Sequence, residues 1–511
     1  MNGMHASLWI ATSKGSGRPR LAGDVEADVC VVGGGIAGLT TARLAQKDGR
    51  SVVILEAGRI AAQDSGHTTA HLTEMLDHGY ATLRSHFGAK GALMAAVSSR
   101  VAIETIERLA AEEGIACRLQ RVTGWRWAET PDQLSDLEEE LEAMQQSGLR
   151  ASFARETPLP WPVAGAIRVD EQAQFHPREY LLGLAERIAA AGGQLFEGTR
   201  ALKIEEGDGC TVETERGVVR CREVVVATHH PVSSKFALHT KIAPYRTYAL
   251  AARVPALPRP GLYYDSEDPY HYVRTQETSA GAFLVVGGED HKVGHDDETH
   301  ARFDALERWT RERFEGAEIA YRWSGQVIEP ADGLPFIGRA PLSTHVYVAT
   351  GFSGTGMTFG TVSGVVIADA IAGRENPFAK LFDATRVKPL AQARRYVAEN
   401  VDFPAAIAKD RLDRGQVERP ADVPAGEGRL VRVEGKMVAC YRDPGGGLRA
   451  VSAVCTHLGC HVRWNDAERS WDCPCHGSRF DTAGRVLNGP AVKALEAVEV
   501  LDEDGAPAPE P

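Results

Sequence analysis

The chain lacks any apolar run of the roughly 18 residues that would span a bilayer. It also lacks a stretch that reads as a secretory signal: in MNGMHASLWIATSKGSGRPR the apolar part, ASLWIA, is too short, and no small-residue cleavage site follows it. Positive charge is not in excess. Lys and Arg number 57 against 69 Asp and Glu, a formal net charge of −12, and no polybasic patch stands out. Neither nucleic acid nor an anionic membrane surface is therefore expected as a partner. Cysteine is sparse: nine in 511 residues do not make a disulfide scaffold. Internal repeats and long low-complexity tracts are absent. What remains is an ordinary soluble composition, 43% apolar and 25% charged, at a length that implies about two to four domains. A cytoplasmic protein is the expectation.

Residues 1–24 read as a disordered tail. ADVCVVGGGIAGLTTARLAQKDGRSVVILEAG then gives strand, glycine turn, helix and second strand. Residues 91–113 and 131–148 are periodic and charged and predict two helices of an inserted subdomain. His176–Gly192 predicts a third helix, and REVVVATHHP a buried strand ending in a loop. Residues 243–290 carry alternating aromatic runs (YRTYALAARV, YHYVRTQ, AFLVVGG) and predict an antiparallel sheet. Residues 381–425 are polar with several prolines and read as a linker. From Gly426 short strands and turns predict a small all-β unit at 426–503, followed by a frayed tail at 504–511.

Gly33, Gly35 and Gly38 form G-x-G-x-x-G directly after an apolar strand. The first glycine permits the tight turn, the second lets backbone N–H groups approach a pyrophosphate, and the third lets helix and strand pack closely. The helix N-terminus adds partial positive charge. Glu56 ends the second strand about 20 residues on, where an acid binds ribose hydroxyls. A second small-residue turn, Gly351, Ser353, Gly354 and Gly356 in VYVATGFSGTGMTFG, opens another helix. It suits close backbone approach to a ring or a ribityl chain, which favours FAD over NAD.

With these pieces in place, residues 25–380 resemble the glycine oxidase/D-amino-acid oxidase superfamily of FAD-dependent enzymes. The matching stretches are VVGGGIAGL…VVILEAG, the DSGHTTAHL loop, VVVATHHP, EPADGLPFIG and ATGFSGTGM. The resemblance implies an α/β FAD-binding Rossmann-type domain (segments 25–90, 165–235 and 325–380). It also implies an antiparallel-sheet α+β substrate domain (91–164 and 236–324). It implies that Ser65–Thr69, with Thr68 and Thr69, runs near the flavin and that Gly351–Met357 meets its ring end. His67 and His71 lie near the family's flavin-tethering position but out of register, so a polar loop is the expectation. No second G-x-G-x-x-G follows a strand, which argues against an NAD(P)H site. An amine or amino acid is the implied substrate class. A substrate carboxylate would want an arginine fork beside a tyrosine; the candidates are Arg274 with Tyr272, or Arg246 with Tyr245 or Tyr248. Gln326 is a candidate to face the flavin. EDHKVGHDDETH holds His291, His295 and His300 among acids, and reads as a solvated loop more than a metal site.

The end of the chain concentrates soft ligands in CTHLGC and CPCHGS. Each arm offers one Cys and one His: Cys455 and His457, then Cys473 and His476. Zinc fingers pair cysteines in one arm and histidines in the other. One of each per arm suits a [2Fe–2S] cluster with two thiolates on one iron and two imidazoles on the other, which raises the potential. The stretch resembles a Rieske domain over Gly426–Leu501. That resemblance implies a disulfide between Cys460 and Cys475, the pair found in Rieske proteins of the cytochrome bc type, although a reducing cytosol opposes it unless it is shielded. Ser478 matches a serine that donates to a cluster sulfur. Phe480 stands where a second, tyrosine donor is common, which implies a potential below the top of the Rieske range.

A flavin takes two electrons at once and a Rieske cluster carries one. The expectation is therefore an FAD-dependent amine or amino-acid dehydrogenase that passes electrons singly through the cluster to an external acceptor. The alternatives are reverse flow, with a partner reducing the cluster and the flavin reducing a substrate, and a redox sensor or electron carrier without turnover.

Overall fold

The computed structural model describes residues 6–232, 238–296, 298–388 and 415–500. Its first layer is an eight-stranded sheet. Val25–Val32 lies at the centre, paired in parallel with Val52–Leu55 on one side and Val218–Val226 on the other. Val346–Thr350 continues the parallel set and Phe336–Arg339 closes that edge antiparallel. VVIL at Val52–Leu55 is buried throughout, as expected of a parallel strand covered on both faces. The Ile36–Lys47 helix packs on the Gly356–Ile371 helix. Small residues permit the close approach: a Cβ on Gly360 would lie 2.5 Å from Ile36, and one on Gly364 2.5 Å from Thr40. The stretch Ser353–Ile371 is long and apolar enough by composition to cross a membrane, with mean hydropathy 1.2, yet 67% of it is buried inside the protein. It serves here as a core helix.

The second layer is a nine-stranded sheet built largely on Glu318–Pro330, Ile242–Arg253, Gly281–Lys292 and His271–Thr278, all antiparallel neighbours. It continues through Gly261–Tyr264 to Gln120–Ala128 and Gly165–Gln174. The expected boundary at 165 is corrected here, because Gly165–Gln174 pairs with Gln120–Ala128 in this sheet and His71–Leu72 joins its edge. The helix expected at 91–113 begins earlier, as Tyr80–Glu112 broken at Gly88, and the second spans Leu134–Gln146.

The disordered tail expected at 1–24 is also corrected for the described residues. Leu8–Ala11 is a short helix, and Leu8 and Trp9 are fully buried. Trp9 Nε1 donates to Thr68 O at 2.6 Å and Ser7 Oγ to Gly66 O at 2.6 Å. Two adjacent apolar side chains are enough to wedge this segment behind the loop that carries Thr68.

Of the expected linker, 389–414 lies outside the described residues. Its flanks are structured: Arg386 forms a buried pair with Asp332 at 2.8 Å, and Gln416 N–H donates to Leu430 O at 2.7 Å. The C-terminal unit is all-β. Gly428–Val433, Lys436–Arg442 and Leu448–Ser452 form one antiparallel sheet, and four short strands from Arg463 to Asn488 form another. The expected tail at 504–511 lies outside the described residues.

Candidate active site and metal centre

One long cleft runs between the two large sheets, with about 1730 Å³ of atom-free space, its mouth included. Its lining runs from the Gly33–Gly35 turn to Tyr270 and Tyr272, so it reaches from the glycine turn to the antiparallel sheet. Gly33, Gly35, Glu56, Thr68, Thr69, Ser353, Gly354, Gly356 and Met357 all line it.

The glycine turn fits a pyrophosphate. A Cβ on Gly33, whose φ is +116°, would sit 2.3 Å from Ala227 O, and one on Gly35 would sit 2.8 Å from Ser65 Oγ. Gly38 stands behind the cleft: its Cβ would meet Gly33 O at 2.0 Å, so it serves close helix–strand packing. Gly35 caps the Ile36–Lys47 helix and aims that N-terminus at the cleft. Glu56 accepts from Gly34 N–H at 2.8 Å and Gly58 N–H at 2.7 Å, which fixes the turn. Each carboxylate oxygen keeps a further lone pair for a ribose hydroxyl. Gly351 does not line the cleft; at φ +76° it makes the turn that presents Ser353 and Gly354.

Two of the three candidate catalytic residues reach the cleft. Tyr272 lines it, with its hydroxyl 2.9 Å from Thr247 Oγ1, and so does Gln326. Arg274 does not. It is fully buried, and its guanidinium is taken up by the carbonyls of Thr69, Ala70 and Phe175 and by Gln276. It braces the Thr69 loop, which corrects its expected role as a carboxylate fork. Arg246 is likewise occupied, in an ion pair with Glu468 of the C-terminal unit. Strand pattern placed both arginines in the right sheet but could not show which partners their neighbours would offer.

Asp77 escaped the sequence altogether, and His71 was expected only as part of a polar loop. Asp77 faces the cavity and accepts from Gly354 N–H at 2.5 Å; the surrounding protein pushes its carboxyl up to about 6, against the pull of that N–H and of Arg126. His71 packs edge-on against Tyr264 at 5.1 Å and Tyr272 at 5.5 Å. Burial holds it well below the usual histidine range, so it is neutral. His71 belongs to the DSGHTTAHL stretch, and no motif links it to Asp77.

The C-terminal ligands sit on two matching loops. In the first, Cys455 N–H donates to Cys460 O and Gly459 N–H to Cys455 O; in the second, Cys473 N–H donates to Ser478 O and Gly477 N–H to Cys473 O. Gly459 and Gly477, at φ +83° and +73°, make equivalent turns. Cys455 and Cys473 are free and buried, and the His457 and His476 rings stand 5.0 Å apart. The Cys455 thiol is lowered to about 7, first by the Cys473 hydrogen bond and then by the His457 N–H and the Ser478 hydroxyl, against burial. His457 Nδ1 is buried without a hydrogen-bond partner. Two soft sulfurs and an orphaned imidazole nitrogen are a donor set that fits a [2Fe–2S] cluster. Cys460 and Cys475 are joined at 2.03 Å. Their sulfurs lie within 4.8 Å of Cys473 Sγ, but the S–S bond removes them as thiolate donors. Phe480, fully buried, offers no hydroxyl.

The two sites meet. Gln326 Nε2 donates to Gly477 O at 2.8 Å, so one side chain touches both the cleft and the second ligand loop. Leu487, Asn488 and Gly489 of the C-terminal unit form part of the cleft wall. Glu468 reaches across to Arg246 and Ser324 while also pairing with Arg479. Burial pushes the Glu468 carboxyl up, but the two guanidiniums outweigh it and hold it well below the usual carboxylate range. The histidine-rich loop belongs to this junction: Thr299 Oγ1 bonds Asn465 at 2.8 Å, and Gly294 lies against Pro474. His291 Nε2 meets Tyr248 OH at 2.9 Å. His239 packs edge-on against the rings of both His457 (5.9 Å) and His476 (5.3 Å).

Comparisons with known proteins agree with this division. The FAD dependent oxidoreductase (DAO) family model matches residues 28–370 and the Rieske [2Fe-2S] domain model residues 414–499. A Rieske 2Fe-2S iron-sulfur protein of Bacillus subtilis (strain 168), YhfW, is 32% identical over 500 residues, 97% of each chain. Gamma-glutamylputrescine oxidoreductase of Escherichia coli (strain K12) is 26% identical over 389 residues, covering 73% of this chain and 91% of that protein. The glycine oxidase structure from Geobacillus kaustophilus shares the fold, with a TM-score of 0.61 at 22% identity over 71% of this chain and 99% of its own.

Proposed function

Because the chain belongs to the FAD dependent oxidoreductase (DAO) family and carries a C-terminal Rieske [2Fe-2S] domain, we propose that it is an amine or amino-acid dehydrogenase whose electrons leave singly through the cluster to an external acceptor. Bound FAD supplies two-electron oxidation of a carbon–nitrogen bond, and the cluster supplies one-electron transfer. The chain's own residues supply the rest. The Gly33–Gly35 turn and Glu56 would hold the dinucleotide, and the Ser353–Met357 turn would hold its ring end. Cys455, His457, Cys473 and His476 would hold the cluster. The substrate class rests on kinship with gamma-glutamylputrescine oxidoreductase.

The observation that supports an electron route between the two sites is the Gln326–Gly477 hydrogen bond, one residue from His476, which connects cleft and cluster through a single side chain. The Glu468 ion pairs keep the two units in that register. The tip of the first ligand loop stays accessible, with Leu458 42% exposed, and offers an acceptor a point of approach. The same reading keeps the protein in the cytoplasm, where burial of Cys460, 1% exposed, shields the disulfide from reductant.

Anaerobic stopped-flow mixing with a panel of amines and amino acids tests this. Flavin bleaching followed by growth of a Rieske electron paramagnetic resonance signal is the expected result. Bleaching with a silent cluster would refute the electron route. A cluster reduced by an added donor before the flavin would establish the reverse flow.

A further inference from the structure

The end of the cleft beyond Gly354 has a chemistry that bears on the substrate. Three tyrosines and a neutral histidine enclose it. Tyr270 and Tyr272 lie 5.6 Å apart, and His71 packs edge-on against Tyr272 and Tyr264. Asp77 lines this end. Asp290 sits behind Tyr270, whose hydroxyl lies 3.3 Å from Asp290 Oδ2. Glu329 is close enough to oppose ionisation of Tyr270.

Positive charge is arranged differently. Arg59 and Arg200 line the cleft at the Glu56 end, and Arg200 is drawn electrostatically to Glu56. Arg274 is turned into backbone carbonyls. Arg126, on the strand beside Tyr264, attracts Asp77 but does not line the cleft. Among the described residues no lysine lines the cleft.

Among the described residues, His71 Nε2 is buried here with no hydrogen-bond partner, whereas Thr73 supports the Tyr264 hydroxyl and Thr247 the Asp290 carboxyl. His71 itself is only 8% exposed. Burial without a counter-cation pushes Asp290 up to about 7, assisted by Asp77, just as burial raises Asp77. A substrate carboxylate would meet Asp77 and a neutral imidazole, with Asp290 behind Tyr270. An ammonium would meet aromatic faces and carboxylates, the pairing that recognises organic cations.

We propose that this end of the cleft binds its substrate through a positively charged amine, and that the substrate is an alkyl- or aralkylamine without a carboxylate on the carbon to be oxidised. The assignment of the bound cation as substrate rests on the function proposed above; the binding does not need turnover.

The test uses the holoprotein, with benzyltrimethylammonium and benzoate as probes, followed by titration calorimetry and flavin difference spectra at pH 8. The cation should bind, and Asp77→Asn, which keeps an acceptor for Gly354 N–H, should weaken it about tenfold. Asp290→Asn should weaken it in the same direction. Affinity should also fall as pH drops through 7 to 6, where Asp290 and Asp77 take up protons. Benzoate should not bind. Benzoate binding that disappears in Arg126→Met would overturn the proposal, and so would failure of both probes to bind. Cation binding without flavin bleaching by any amine would leave this site standing and refute the dehydrogenase reading instead.

Discussion

The flavin cleft and the iron–sulfur centre are built on opposite plans. The four cluster ligands come from two short loops, each closed by its own backbone hydrogen bonds and a left-handed glycine. The cleft draws Gly33, Asp77, Thr247, Tyr272, Gln326 and Gly354 from elements spread along most of the chain, and takes Leu487–Gly489 from the C-terminal unit. A local site can be carried from protein to protein as a cassette. A distributed one depends on every element that frames it, so it can change its substrate without changing its cofactor motif.

That contrast can be broken most directly by removing each cofactor in turn. Cys473→Ser should abolish the cluster, leaving no Rieske signal by electron paramagnetic resonance, while FAD absorbance survives. Loss of both would show that the cassette is not autonomous. Gly38→Ala is the mirror case: its Cβ would press on Gly33 O at 2.0 Å, so FAD content should fall more than about tenfold while the cluster remains, as read by flavin-to-iron ratio.

The next test lies at the junction. Glu468→Ala takes the ion-pair partner from the Arg246 guanidinium, whose side chain is 5% exposed, while Arg479 keeps Asp472 at 3.0 Å. Removing one partner of such a buried pair costs about 3–5 kcal/mol, measured by urea unfolding and by protease sensitivity of the segment between the domains. Cys460→Ser opens a link of sequence separation 15; a loop of that size costs about 3 kcal/mol, and the loss should appear only in the C-terminal transition. Gln326→Leu should have the smallest effect, slowing cluster reduction about tenfold, or about 1.4 kcal/mol of barrier, with both cofactors retained. An unchanged rate would assign electron transfer to another path, and His239, edge-on against both ligand rings, is the next residue to test.

The same contrast explains what was legible in the sequence. The cluster ligands and the glycine turns were legible because their chemistry needs particular residue types at short, fixed spacings. Glu56 was legible because a strand of set length places it. Arg274 was misjudged for the opposite reason: it lies in the expected sheet, but the carbonyls that occupy it come from Thr69, Ala70 and Phe175. Leu8 and Trp9 looked like part of a loose tail because two buried side chains make no periodic pattern. EDHKVGHDDETH drew attention for its histidines, whereas Gly294 and Thr299 are the residues that receive the C-terminal unit.

The sequence by itself determined the two cofactors, the ligands of one and the phosphate turn of the other, because those depend on the chain's local stereochemistry. Only the tertiary structure decided what shares the cleft with them. Asp77, Asp290, His71 and the three tyrosines carry no common motif, and their chemistry appears only when two sheets close on each other. The contact from Gln326 to Gly477 was also beyond the sequence, since it depends on how one folded unit seats against another.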